Sequence, residues 1–283
     1  MDDEKSIRLH APYLTWNEDG SLCRYNVEIT EDGKLLKYFA EVEKEYAEYF
    51  CTEVLDAVVL MSLTRAFRLG YDIYCDIPVT AQLLHNINEI LIPHLALGDS
   101  KIRADIKVHA PATTEEFGGR GVGTAVSCGV DSLYSIMQGT DGKYPDLQLT
   151  HLFVASVNLE LWGKNPKNLV EWEQSHQTAF DRFHKVSQMT KLPLIKMFSN
   201  IYMYTLFNGK QRLSRSISYI CVGHALLLKK LWKAYFYASD FDFRRFSLEG
   251  NLDEDTAFYD LLTCHVLTVP GFSLFSGGAL QIA

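Results

Sequence analysis

The sequence lacks two features that would place it among membrane or zinc-binding proteins. No apolar run approaches the ~20 residues that a membrane-spanning helix needs. The six cysteines lie far apart and form no CxxC pair, so a zinc site built from close cysteine pairs is not expected. Scattered cysteines suit a reducing cytosol, and the first residues include no apolar segment of a secretory signal. We therefore expect a cytoplasmic protein with no membrane segment.

Positive charge is also scarce. The 283 residues carry a net charge of -8 and have a pI of about 5.6, so we expect no broad basic face and do not expect nucleic acid as a partner. Hydrophobic residues make up 47% of the chain and charged residues 22%, which is typical of a globular protein with a core and not of a disordered one. At this length we expect one large domain or two modest ones.

Residues 1–117 are predicted to form a smaller, mixed α/β region. Residues 25–29 alternate in polarity and precede the turn at 31–34, which together predict a hairpin over 22–43. Shorter alternating segments predict strands at 72–75 and 102–108.

Two helices are predicted in the same region. An apolar stripe predicts the first over 46–69, ended by Gly70. Thr80 is in position to cap a second helix, which is expected to run to Leu91 and to stop at Pro93.

A glycine-rich break at 117–120 predicts a domain boundary, after which strands and helices alternate through residues 118–283. That alternation predicts a parallel sheet with right-handed crossovers and a ligand site beyond the carboxyl ends of its strands. The fold class is therefore α/β: a parallel, Rossmann-like nucleotide-binding core preceded by the mixed region. The predicted strands are 122–126, 151–157, 194–198 and 234–238, and the predicted helices are 132–138, 166–190 and 214–232.

A polar loop joins the first of these strands to its helix. The loop consists of Ser127, Cys128, Gly129, Val130, Asp131 and Ser132. A helix N-terminus presents free N–H groups and a partial positive charge, so it is a natural anion site. Gly129 lets the backbone approach a phosphate closely, and the hydroxyls of Ser127 and Ser132 add donors. Asp131 either caps the helix or helps to hold Mg²⁺.

This loop resembles the SGGxDS motif of the PP-loop ATP pyrophosphatases of the N-type group, with Cys128 in place of the first glycine. The resemblance covers residues 119 to about 240 through strand order as well as motif. Within that superfamily the sequence resembles the 7-cyano-7-deazaguanine synthase-like branch, although the zinc-binding cysteine cluster of that branch is not visible in this sequence.

The resemblance implies a specific chemistry. Such enzymes are AMP-forming ligases that use ATP and Mg²⁺ to adenylate a carboxylate, amide or carbonyl oxygen, and pyrophosphate leaves from the loop. A nitrogen or sulfur nucleophile then displaces AMP. The adenine is expected near Val154, Ala155 and Ser156, at the end of the second strand. The implied partners are ATP and a small-molecule or peptide acceptor, and a homodimer is common for such folds.

Two further loops are predicted at the same edge of the sheet. Lys210, Arg212 and Arg215 follow the third strand and are candidates to bind phosphate or an acidic substrate, with a solvated basic loop as the alternative. Asp240 follows the fourth strand and is a second candidate Mg²⁺ ligand beside Asp131, with a turn or cap as the alternative. The candidate catalytic residues are Ser127, Asp131, Lys210 and Arg215.

Two other functions remain open from the sequence. Residues 125–129 also fit a relaxed nucleophile elbow, in which Ser127, Asp240 and His265 would form a serine hydrolase triad. A non-catalytic nucleotide-binding partner protein is the other alternative. The absence of a Walker A motif argues against β–γ cleavage by a P-loop NTPase.

Two individual side chains are also interpreted. His224 lies in an apolar helix and is expected to be a core histidine with satisfied hydrogen bonds. Cys128 at a helix N-terminus is either a reactive thiol or a filler at a former glycine position.

Overall fold

A computed structural model describes residues 5–98, 102–157, 166–201, 204, 217–238 and 267–277. Within them, one eleven-stranded sheet carries helices on both faces, and a small two-stranded sheet lies apart from it. The predicted α/β class is confirmed. The strands are β1 (Ser6–Leu9), β2 (Tyr13–Trp16), β3 (Leu22–Glu31), β4 (Lys34–Glu43), β5 (Asp72–Cys75), β6 (Val79–Thr80), β7 (Val108–His109), β8 (Ala112–Thr113), β9 (Gly121–Ala125), β10 (His151–Ala155), β11 (Leu194–Ser199), β12 (Trp232–Ala238) and β13 (Ser273–Gly277).

Helices connect and cover these strands. None of those in the described part of the chain combines the length and the apolar composition that crossing a bilayer requires. A π-helical turn, Asn86–Leu91, joins α2 to α3, and short 3-10 segments occupy Lys44–Tyr49 and Pro145–Leu147. The α-helices are α1 (Asp56–Leu69), α2 (Ala81–His85), α3 (Ile92–Gly98), α4 (Val130–Thr140), α5 (Leu169–Ser175), α6 (Gln177–Thr190) and α7 (Ile217–Leu227).

The parallel half of the sheet agrees with the sequence prediction. Its order is β13-β12-β9-β10-β11, and every neighbouring pair is parallel. All four predicted strands are present within two residues of their expected ends. Strand β13 was not expected.

The mixed half joins this sheet directly. The predicted hairpin is β3 and β4, and its turn holds Asp32 and Gly33 at positive φ, as two-residue hairpin turns require. Strand β4 pairs antiparallel with β11, and the order continues β4-β3-β1-β5-β7, with β2 on the first half of β3. One sheet therefore contains strands from residues 1–117 and from residues 118–283. The division of the chain into two domains at this boundary stays a prediction.

The first helix starts later than predicted. It begins at Asp56, and it ends at Gly70, which adopts the left-handed conformation. The N–H of Cys51 donates to the carbonyl of Leu227, and that of Leu55 donates to Pro78. Because these backbone groups bond to distant partners, residues 51–55 are not helical, and the start of the predicted helix is instead the separate 3-10 segment Lys44–Tyr49.

The second helical segment starts where predicted, directly after Thr80, but it continues beyond its predicted end. Thr80 is the N-cap residue of α2, although its side chain makes no cap hydrogen bond and its hydroxyl donates to Asp56. The chain continues through Pro93 into α3. A proline lacks the N–H that an α-helix would use and its ring crowds the preceding turn, and the π-helical turn just before Pro93 provides the wider backbone. The predicted strand at 102–108 is reduced to β7.

The predicted long helix over 166–190 is two helices that meet at His176. Asn168 caps α5 through a bond from the N–H of Glu171 at 2.9 Å. At the other end of α5, the hydroxyl of Ser175 and Nδ1 of His176 both bond to the carbonyl of Trp172, each at 3.0 Å. Side chains that compete for a helix carbonyl favour a break in the helix. The predicted helical residues are therefore helical, but they form two helices rather than one.

Two apolar layers enclose the sheet. Helices α1, α2, α3 and α7 pack on one face, and α4, α5 and α6 pack on the other. Successive residues of β10 alternate between them: Phe153 belongs to the first layer, and Leu152 and Val154 belong to the second. This period-two alternation fixes the register of the parallel strands, because a one-residue slip would reverse every side chain.

A buried ion pair ties the two halves together. Lys229 Nζ lies 2.8 Å from Asp56 Oδ2, and neither side chain is more than 1% exposed. Thr80 donates to the same carboxylate from its N–H at 2.8 Å and its hydroxyl at 2.5 Å. Lys229 also donates to the Thr80 hydroxyl at 3.0 Å. Each charge depends on its partner, because an isolated buried charge is very costly.

We predict that Lys229→Met lowers the free energy of unfolding by about 3–5 kcal/mol, because it leaves the Asp56 carboxylate buried without its cation. Urea denaturation measures this loss. Adding Asp56→Asn should recover part of it. The matched control is Lys230→Met, which breaks a half-exposed pair with Glu53 and should cost less than about 1 kcal/mol. Equal losses in the two single variants would contradict the prediction.

Candidate functional site

The polar loop lies where the sequence placed it, between the carboxyl end of β9 and the start of α4. It closes on itself through side-chain hydrogen bonds. The hydroxyl of Ser127 donates to that of Ser132 at 3.0 Å, and Ser132 donates to the carbonyl of Gly129 at 3.0 Å. The N–H of Gly129 donates to Ser127 Oγ at 3.3 Å. Gly129 is the N-cap residue of α4, whose first turn carries Asp131. The loop thus places two hydroxyls beside a helix N-terminus.

Cys128 has a left-handed backbone, with φ at 60°. This conformation costs a residue with a Cβ about 1–2 kcal/mol and is readily adopted by glycine. Cys128 is the position at which the SGGxDS motif has its first glycine. The backbone at this position therefore has the left-handed turn that a glycine favours.

Gly129 provides open space rather than an unusual conformation. Its φ is -78°, which any residue adopts. A Cβ built on Gly129 would have one neighbour within 4 Å, the hydroxyl oxygen of Ser127 at 3.4 Å. The glycine therefore leaves room in front of the α4 N-terminus, as the approach of an anion to backbone N–H groups requires.

The Cys128 thiol has the character of a filler. Burial raises the pKa of this thiol above its usual value, and the positive charge of Arg182 acts in the opposite direction. A raised pKa reduces the thiolate fraction at neutral pH, and the thiolate is the reactive form. The structure therefore favours the filler interpretation of Cys128 over the reactive one.

A cavity of about 380 Å³ opens beside the loop. Ser127 lines it together with Val154, Ala155 and Ser156, the residues expected to contact adenine. Aromatic side chains of α5 and α6, including Trp172 and Phe180, form much of the remaining wall. A mostly apolar cavity with a few polar groups at one end is the usual form of a small-molecule site.

The other predicted site residues divide into two groups. The first group lies in the loop or the first turn of α4, where Val130 is exposed and Ser132 is buried; it consists of Cys128, Gly129, Val130, Asp131 and Ser132. In the described ranges, no cluster of three or more His, Cys, Asp or Glu side chains could hold a metal ion. The second group is not described. Lys210, Arg212, Arg215, Asp240 and His265 lie outside the described residues.

A buried hydrogen-bond chain joins the carboxyl ends of β10 and β11. Ser156 Oγ accepts from the N–H of Ser199 at 2.7 Å, and Ser199 donates from its hydroxyl to His224 Nε2 at 2.7 Å. His224 Nδ1 in turn donates to the carbonyl of Ile220 at 2.7 Å. Both ring nitrogens of His224 are satisfied, which confirms the prediction of a core histidine. The chain holds Ser156 in place at the cavity.

The hydrolase arrangement is not assembled by the described residues. Ser127 bonds to Ser132 and Gly129, and Ser199, which bonds to His224, is fully buried. The remaining triad candidates, Asp240 and His265, lie outside the described residues. The serine hydrolase alternative therefore stays untested.

The cavity includes side chains to which the sequence analysis gave no role. They lie on α5, on α6 and at the break between these helices, at positions 172, 176, 179, 180, 182 and 183. The signal in the sequence was the apolar stripe of the predicted helix. Such a stripe normally indicates packing against a core, so it did not reveal that part of the stripe faces a cavity.

Comparisons with known proteins leave the site to be interpreted on its geometry. No family model matches the sequence, and neither the curated proteins nor the solved structures include a match.

We predict that Cys128→Gly is more stable than Cys128→Ala by about 1 kcal/mol, because alanine keeps the Cβ that strains a left-handed residue and glycine removes it. Both variants lose the thiol, so their difference isolates the backbone. Thermal and urea denaturation measure it. A Cys128→Ala variant at least as stable as Cys128→Gly would show that the left-handed conformation is not present in solution.

We predict a loss of stability on acidification that arises from His224. Burial lowers the pKa of His224 from 6.5 to about 4. Between those values the unfolded chain binds a proton that the folded state does not, so the free energy of unfolding rises with pH across this window. The contribution is roughly 3 kcal/mol, fully present above pH 6.5 and lost as pH falls to about 4.

Urea denaturation between pH 7 and pH 4 tests this. His224→Gln removes the titrating group and should flatten the pH dependence across the window, besides lowering stability at pH 7. His94→Gln, at an exposed position, is the control and should keep the wild-type slope. An unchanged slope in His224→Gln would contradict the assignment.

Proposed function

We propose that this protein is an ATP pyrophosphatase of the PP-loop type, which cleaves ATP to AMP and pyrophosphate while it adenylates an acceptor. One observation carries the proposal. The loop 127–132 combines a left-handed residue at the first motif glycine with a helix N-terminus, and it opens on the cavity that Val154, Ala155 and Ser156 line. The elements that we propose to bind phosphate and adenine are therefore adjacent at the carboxyl edge of a parallel sheet, where ligands of such folds bind.

The loop groups have the chemistry that pyrophosphate requires. The hydroxyls of Ser127 and Ser132 donate within the loop, and the exposed Ser127 hydroxyl can turn to donate to a phosphate oxygen. The free space at Gly129 lets those oxygens reach the N–H groups of α4. These donors stabilise the charge that grows on the leaving pyrophosphate, and such preorganised donors are a large source of catalysis.

The cavity has a separate role. Its apolar walls suit a purine base, and Ser156, fixed through Ser199 and His224, supplies a polar contact at the end of β10. Apolar walls also keep water from an activated acyl or imidoyl adenylate, which would otherwise hydrolyse.

The reaction has two steps. An oxygen of the acceptor carboxylate, amide or carbonyl attacks the α-phosphorus, the α–β phosphoanhydride bond breaks, and pyrophosphate leaves. A nitrogen or sulfur nucleophile then forms a bond to the activated carbon and displaces AMP. Mg²⁺, held by Asp131 and Asp240 in this proposal, would supply charge neutralisation at the phosphates.

The proposed setting is the cytoplasm, with a small molecule or a peptide as the acceptor. The described cysteines Cys23, Cys51, Cys75 and Cys128 form no disulfide, which suits a reducing compartment. The acidic net charge of -8 disfavours long nucleic-acid acceptors on electrostatic grounds.

We predict that Asp131→Ala lowers AMP formation from ATP and Mg²⁺ by at least about tenfold, because it removes a carboxylate from the phosphate loop. AMP and pyrophosphate are measured across a panel of carboxylate, amide and amine substrates. The control is Asp141→Ala at the opposite end of α4, which should retain wild-type turnover.

Each outcome separates the alternatives. Equal release of AMP and pyrophosphate that depends on Asp131 supports the proposed reaction. ATP binding without turnover on any acceptor would favour the non-catalytic binding protein. Absence of ATP binding would refute the proposal, and covalent labelling of Ser127 by a fluorophosphonate would then support the hydrolase.

A further inference from the structure

Arg182 lies on α6 at the side of the cavity. It lines the cavity together with Ser127, and its side chain is exposed. Its position in the middle of α6 is fixed by Phe180 and Phe183, which pack into the layer under the helix. The guanidinium is thus presented at the cavity by a rigid element.

The charge of Arg182 reaches the phosphate loop. Burial dominates the raised pKa of Cys128, and Arg182 is the charged group that opposes it. The lining of the cavity agrees with this effect, because Arg182 of α6 and Ser127 of the loop both line it. The loop and Arg182 therefore face the same cavity.

No acidic side chain neutralises Arg182 among the residues that the structure describes. Other arginines contrast with it: Arg24 pairs with Glu41, Arg65 with Glu31, and Arg103 with Asp105. An uncompensated cation beside a helix N-terminus favours an anion. The positive charge of Arg182 thus contrasts with the net charge of the chain, which is -8.

We propose that Arg182 binds the pyrophosphate portion of the nucleotide, opposite the loop hydroxyls of Ser127 and Ser132. This inference rests on the proposed function and adds a phosphate-binding residue to it. A guanidinium donates to two phosphate oxygens at once, which an ammonium group cannot match in geometry. Arg182 then contacts the leaving group, and its contribution grows as charge develops there.

The alternative anion is the carboxylate of the acceptor. The cavity wall that Arg182 shares with Ser127 favours phosphate, because the loop is where the phosphates are expected. A carboxylate acceptor held by Arg182 would instead require the acceptor to lie on the loop side of the cavity. The experiment separates these two ligands.

The test is calorimetric titration with inorganic pyrophosphate and Mg²⁺, adenosine, and benzoate as an apolar carboxylate. We expect Arg182→Gln to weaken pyrophosphate binding by about tenfold and to leave adenosine and benzoate binding unchanged. Arg182→Lys should recover part of the affinity. The control is Lys185→Gln, which removes an exposed cation from the same helix and should leave all three affinities unchanged. Because Arg182 is exposed, urea denaturation should show no loss of stability in either variant.

The outcomes distinguish this inference from the proposed function. Unchanged pyrophosphate affinity in Arg182→Gln overturns the inference, even if the wild type forms AMP. Weakened benzoate binding with unchanged pyrophosphate binding also overturns it and assigns the anion to the acceptor. Pyrophosphate binding that depends on Arg182 supports the inference even if no acceptor gives AMP, in which case the proposed reaction alone fails. If the wild type binds neither pyrophosphate nor ATP, both are refuted.

Discussion

The parallel pairing of β9 with β10 is the interaction on which the candidate site depends. Its register sets Phe153 beside Ala125, and the N–H of Val126 donates to the carbonyl of Phe153 one step further along. Because the two strands run in the same direction, both end at one edge, and the chain leaves them side by side. The loop that follows β9 and the residues that end β10 therefore share a cavity, although more than twenty residues separate them in the sequence. A slip of one residue would turn Val154 away from the α5–α6 layer and close the site.

Other parts of the molecule hold that edge in place from a distance. Strand β11 lies beside β10, and the Ser156–Ser199–His224 chain locks the ends of these two strands together. Strand β4 then pairs with β11 and brings the mixed half into the same sheet. On the opposite face, the Asp56–Lys229 pair joins the start of α1 to the segment between α7 and β12. The site is thus a local feature of two strand ends supported by contacts that run across the whole sheet.

The sequence predicts correctly the elements that local patterns determine, and it misses the features that depend on contacts between distant residues. Alternation and turn residues predicted β3 and β4, and apolar runs predicted β9 to β12, because strand patterning acts over a few residues. The 127–132 loop was found for the same reason. The start of α1 was wrong because the backbone before Asp56 bonds to Leu227 and Pro78, and no local pattern encodes such partners. Arg182 carried no signal either, since a charged residue on an amphipathic helix looks like any solvated one until the cavity beside it is known.

The central claim is that one cavity holds the phosphates and the adenine of a nucleotide in a fixed orientation. A crystal structure of the complex with α,β-methylene-ATP and Mg²⁺, which cannot be cleaved between the α- and β-phosphates, tests this most directly. The account predicts the terminal phosphates within hydrogen-bond distance of Ser127 and the N-terminus of α4, and the adenine against Val154, Ala155 and Ser156. A nucleotide bound at another edge of the sheet, or in this cavity with its phosphates directed away from the loop, would contradict it.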